Sequence, residues 1–225
     1  MTNTLHRYGS AESFSDDIIV FAITSKGKND EDCVPKLKKF LAMAIPFSPV
    51  NMGDGAHGGA IRASAKLNPT SHWRREHEPN FQKVVDDLDK PTTAAVVFDK
   101  RQNAVAFVKA VKEADLGLCV NISTSIEGAE SILEECGITR HSVNYSCGFQ
   151  NRTEKLPSTQ VLALTTMCGH GMIAQTLARK MIDYVKEGRR TPEEAAKYLS
   201  RFCPCGVYNP ARAQRIIEDA RKHIE

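Results

Sequence analysis

Several things this chain lacks narrow what it can be. It has no long hydrophobic run: Asp17-Ile-Ile-Val-Phe-Ala-Ile23 is among the longest apolar stretches, far short of the ~20 residues a membrane-spanning helix needs. A membrane role is therefore not expected. Met1 to Ser15 has neither a basic start followed by an apolar stretch nor a small-residue cleavage site, so secretion is not expected and a cytoplasmic location is. An excess of one charge is also missing. The formal net charge is +3 over 225 residues, with Lys and Arg interleaved among Asp and Glu, which gives no footprint for nucleic acid. There is no internal repeat, no low-complexity tract and no P-loop or dinucleotide fingerprint. What remains is an ordinary globular composition, 41% apolar and 25% charged, enough for one large domain or two small ones.

The pattern of elements points to an α/β fold: a mixed sheet with helices packed on it and a helical C-terminal third. A near-continuous apolar strand over Asp17 to Thr24 and a helix over about 34–44 open the chain. Residues 46–80 read as irregular, a length that in a compact protein usually serves function. Further strands are expected at Thr93 to Phe98, Gly117 to Ser123, Ser142 to Ser146 and Gln160 to Thr166. Helices are expected at Gln102 to Ala114 and Ile126 to Cys136. Met172 to Glu187 carries Ile173, Leu177, Met181 and Val185 at a spacing of four, the stripe of an amphipathic helix. Thr191-Pro-Glu-Glu194 and Asn209-Pro210 are cap-plus-proline starts for two more helices. The natural division is 1–90, a strand, helix and Gly-rich loop, and 91–225, an α/β region ending in the Cys-containing helices, though one sheet through both is compatible with the same pattern.

Chemistry is concentrated in the cysteines. Seven is an odd count, and in a reducing compartment such residues serve more often as ligands or reactive thiols than as cross-links. Cys168-Gly-His170-Gly and Cys203-Pro-Cys205-Gly each stand beside an expected helix start, off the packing faces. A strand ending at Thr166 and a helix opening at Met172 would set Cys168 at a helix N-terminus, where the dipole stabilises a thiolate. Cys168, His170, Cys203 and Cys205 together offer the number of donors zinc takes, although one-residue spacings match no standard zinc motif. Cys168, Cys203 and Cys205 with Cys147 would hold an iron–sulfur cluster. The sequence thus favours a metal-dependent enzyme, iron–sulfur or zinc, acting on a small anionic substrate by Lewis-acid lyase-like or hydrolytic chemistry. A metal-free enzyme with Cys168 as nucleophile or redox thiol is one alternative. A non-catalytic metal- or ligand-binding regulatory protein is the other. Cys119 and Cys136 read as core.

Outside the cysteines, the Gly-rich stretch Asn51-Met-Gly-Asp-Gly-Ala-His-Gly-Gly59 supplies Asp54 and His57 as acid–base candidates and leads to Arg62, a candidate anion clamp. Ser123 and Thr124 close a strand, the usual place of a ligand crevice in an α/β sheet. Asn144 interrupts an otherwise apolar run and needs polar partners, and Arg212 follows a helix cap within reach of an anion. These four complete the substrate-binding set, His72, Trp73 and His77 are lid candidates, and a homo-oligomer is compatible with all of it.

Overall fold

A computed structural model describes residues 6–61, 79–150 and 152–222. The chain forms β1 (Ile18–Ile23), α1 (Cys33–Ala44), β2 (Asn51–Asp54), β3 (Gly58–Gly59), α2 (Phe81–Asp87), β4 (Ala94–Phe98), α3 (Arg101–Ala114), β5 (Cys119–Ser123), α4 (Ile126–Glu135), α5 (Thr159–Thr166), α6 (Gln175–Lys186), α7 (Pro192–Ser200) and α8 (Pro210–Lys222). Among the described residues no helix is long and apolar enough to cross a membrane.

The strands lie in the order β3-β2-β4-β1-β5, and every pairing is antiparallel. The expected α/β architecture is present, with an antiparallel sheet in place of a mixed one. Each of the connections β1-α1-β2 and β4-α3-β5 skips one position, so the strand of one unit fills the gap in the other: two interleaved split βαβ units. Residues on both sides of position 90 thus build one sheet.

Alternation along the central strands divides the core. Ile18, Val20, Ala22, Ala94, Val96 and Phe98 face α1 to α4, where Phe107 packs edge-on against Phe40 and tilted against Phe98. Ile19, Phe21, Ala95 and Val97 face the C-terminal helices α5 to α8. Burial on both faces is why β1 and β4 read as unbroken apolar runs. The C-terminal stripe is confirmed in Met181 and Val185, joined by Ala178 and Ile182. Both cap-plus-proline starts hold: Thr191 and Glu194 form the reciprocal capping box, and Asn209 Oδ1 accepts from Arg212 N at 2.9 Å.

Two expected strands are not strands. Gln160 to Thr166 is helical, capped at Ser158, with Val161 to Thr165 all buried; burial all round erases the periodicity that distinguishes a short helix from a buried strand. Ser142 to Ser146 is exposed irregular chain beside β5. The irregular region contains structure instead: β2 and β3 form a hairpin of small residues whose low strand propensity hid it.

Candidate functional site

The two cysteine clusters meet. Cys168 follows α5 and Cys203 and Cys205 lie in the link between α7 and α8, a region that α5, α7 and α8 bring onto the same sheet face. The Cys203 and Cys205 sulfurs are 3.9 Å apart, and Cys205 Sγ lies 3.6 Å from His170 Nδ1. The Cys168 thiol contacts that of Cys203. The contacts therefore run as a chain, Cys168–Cys203–Cys205–His170. The three sulfurs are buried and His170 is exposed, so the chain opens to solvent at its imidazole end. All seven cysteines are free thiols.

The electrostatics order the thiols. Hydrogen bonding to Cys203, then burial, pushes the Cys168 thiol far up. Cys203 accepts that bond, which eases its ionisation, but its own bond to Cys205 and its burial outweigh this and push it up to about 12. Cys205, receiving the Cys203 S–H, is held below the usual thiol value despite burial. Of the three thiols Cys205 is thus the one that ionises most readily. The sequence pattern favours Cys168 for that role through a helix N-terminus, but the residue instead follows the C-terminal end of α5, its N–H reaching Thr165 O, and α6 begins only at Gln175.

The hairpin is docked on the cysteine link. Gly59 N donates to Pro204 O at 3.2 Å, and Asn51 Nδ2 donates to Tyr208 O at 2.9 Å. A Cβ at Gly206 would stand 2.5 Å from Met52 O and 2.7 Å from Gly59 Cα, and Gly206 has φ +70°. Here glycine is required by backbone meeting backbone and by the left-handed conformation. The glycines of 51–59 therefore serve close packing on the link. Tyr208 behind the link is fully buried, and its hydroxyl has no partner among the described residues. Burial first, then Cys203, pushes its pKa well above the ordinary phenol value and keeps the hydroxyl protonated.

Asp54 and His57 sit on this hairpin. Asp54 Oδ1 accepts from the N–H groups of Ala56 and His57, its Oδ2 is buried without a partner, and His57 Nδ1 lies 3.3 Å away without the alignment of a hydrogen bond. The other imidazole nitrogen is 3.2 Å from Asp89 Oδ1. An imidazole between two carboxylates is a competent proton carrier.

The remaining expected residues divide. Ser123, Thr124 and Asn144 line one cavity at the β5 edge, away from the sulfurs. Cys147 is exposed on the segment along that cavity, while Cys205 packs against Gly53 and Gly59 at the opposite edge; the structure does not bring Cys147 to the other three. Arg212 is not a ligand clamp: its guanidinium is buried on Asp17 at 2.8 Å and donates to Tyr8 O at 3.0 Å. Arg62, His72, Trp73 and His77 lie outside the described residues. Cys136 is in the core as expected, and Cys119 is half-buried on β5. Sequence reasoning missed Arg7, which is tied to Asp17 and donates to Ser123 O at 2.8 Å; an arginine in a polar N-terminal stretch carries no pattern to mark it.

Comparison of the chain with protein-family models, with curated proteins and with solved structures finds no match.

Proposed function

We propose that the protein is an enzyme dependent on one metal ion, zinc by its donor set, held by Cys168, Cys203 and Cys205 with His170 at the exposed corner, and that it acts on a small anionic substrate by Lewis-acid lyase-like or hydrolytic chemistry. The observation that carries this reading is the pair of contact lengths. Zinc bonds of about 2.3 Å to sulfur and about 2.1 Å to nitrogen give tetrahedral edges of about 3.8 Å between two sulfurs and about 3.6 Å between sulfur and nitrogen. Cys203 to Cys205 stands at 3.9 Å and Cys205 to His170 at 3.6 Å. Such lengths suit two ligands of a single ion better than thiolates on separate irons of a four-iron cluster. As they stand the donors form a chain: among the described residues no group of three His, Cys, Asp or Glu side chains is placed to hold an ion, so binding would require the donors to move and draw that chain closed. When bound, zinc would deprotonate the thiols outright, and it would polarise an oxygen of the substrate only where His170, the one exposed donor, yields its position to that oxygen. The protein's own part is to hold three sulfurs dry, to present His170 to solvent, and to keep Asp54 and His57 on the hairpin that braces the link.

The thiol ordering favours a second reading, a metal-free enzyme with Cys205 as its reactive thiolate and His170 as the adjacent base. Metal analysis of protein purified without oxygen separates the two. The zinc reading expects close to one zinc per chain, reduced to background in Cys203→Ser and in Cys205→Ser. Protein that holds neither zinc nor iron, and in which Cys205 alone alkylates rapidly, is the metal-free enzyme instead.

A further inference from the structure

We infer that the cavity at the β5 edge is a second binding site, for a small organic anion with an apolar or aromatic body, independent of the cysteine cluster. The cavity holds about 750 Å³, within the ~300–1,000 Å³ range of small-molecule sites. Its floor is β5 and the start of α4, one wall is the N-terminal segment, and the other is the irregular stretch after α4. The unpaired edge of β5 leaves this space because Ser142 to Ser146 runs beside the sheet without joining it.

The lining defines the ligand. Phe14, Ile122, Ile126, Leu133, Tyr145 and Phe149 supply an apolar body, and Ile126, Tyr145 and Phe149 are among the large apolar side chains left exposed in this fold. Asn121, Thr124 and Asn144 supply polar contacts among them. Charge selects the head group. Beneath the cavity, Asp17 is fully buried and carries ion pairs from both Arg7 and Arg212, two cations on one anion. Asp16, the next carboxylate, is occupied with Arg215 at 2.7 Å. The buried group therefore keeps one positive charge in excess, a state that burial makes costly unless an anion lies near. Arg7 is the member that borders the cavity; its side chain is 3% exposed and its guanidinium donates to Ser123 O and Oγ at the cavity wall, so an anion would reach it by taking the place of the Ser123 hydroxyl. A guanidinium behind that hydroxyl suits a carboxylate or a phosphate equally, so the shared chemistry is a carboxylate or phosphate on an apolar body.

The test is titration calorimetry on the full chain with naphthalene-2-carboxylate, 2-naphthyl phosphate and the neutral naphthalene-2-carboxamide, at two salt concentrations. The proposal expects saturable binding of at least one anion, at least tenfold tighter than the amide, the stronger anion naming the head group. Ala129→Phe, which puts a ring into the cavity without touching the ion pairs, should abolish binding while leaving the circular dichroism unchanged. Arg7→Lys keeps a cation for Asp17 and should weaken the anions at least threefold while leaving the amide unaffected. Cys205→Ser should bind as the parent does, so loss of the zinc reading leaves this result untouched. No saturable binding, equal binding of anion and amide, or full binding in Ala129→Phe each overturns the proposal.

Discussion

The two edges of the sheet are built in opposite ways. At the β2–β3 edge, backbone presses on backbone: Gly53 and Gly59 meet Cys205 and Gly206 with no room for a side chain, and three thiols are sealed beneath. At the β5 edge the sheet stops short, a cavity remains, and polar side chains line it over a buried pair of arginines. The tight edge fixes reactive groups relative to one another; the open edge leaves space for a ligand. One sheet therefore separates the groups able to do chemistry from the groups able to hold a molecule, where the sequence alone had suggested one shared site.

The strongest way to break this comparison is to remove the charge under the open edge. Asp17→Ala strands Arg7 and Arg212 in the interior and should cost about 3–5 kcal/mol, read by urea unfolding. The same carboxylate predicts an acid dependence. Burial alone would raise its pKa, but Arg7 and then Arg212 outweigh that and hold it below its ordinary value. Its contribution is thus complete above the unfolded carboxylate pKa, about 4, and is lost as the pH falls through the lower folded value. Stability that does not fall more steeply below about pH 4 in the parent than in Asp17→Asn would contradict this.

At the tight edge, Gly206→Ala must place a Cβ against Met52 O in a left-handed conformation, and should cost about 2–3 kcal/mol. Gly171→Ala, equally left-handed at φ +65° but with nothing within 4 Å, should cost only about 1 kcal/mol. Equal losses in the two variants would show that the edge is not tightly packed. The thiol ordering is sharpened by Cys203→Ala: with the donor to Cys205 gone, the Cys205 pKa rises, and its alkylation at neutral pH in metal-free protein should slow about tenfold, as expected for a lost hydrogen bond to a charged group. Unchanged kinetics would mean that Cys203 does not tune it. The smallest effect belongs to the open edge, where Ala129→Phe should change stability by less than about 1 kcal/mol, because a ring added to existing space displaces nothing.

How far the sequence discloses this arrangement depends on how each element is marked. β1, β4, α3 and the capped helices α7 and α8 were legible because periodicity, caps and prolines agree with burial. The cysteine clusters are legible as candidate donors, but whether they meet depends on how α5, α7 and α8 pack, which their spacing leaves open; the cavity residues Ser123 and Thr124 are legible from the end of a strand. Three features were hidden for physical reasons. α5 is buried on all sides, so its pattern is that of a strand. The hairpin 51–59 is written in glycines that serve packing, which in a sequence look like flexibility. The ion cluster of Asp17, Arg7 and Arg212 joins residues about 200 positions apart, a separation no local pattern records.

The most direct test of the central claim is X-ray absorption at the zinc edge on protein purified without oxygen. One ion with three sulfur neighbours at about 2.3 Å and one nitrogen at about 2.1 Å is expected, with the zinc signal falling to background in Cys203→Ser. A protein that holds no ion, or an ion surrounded by oxygen alone, would contradict it.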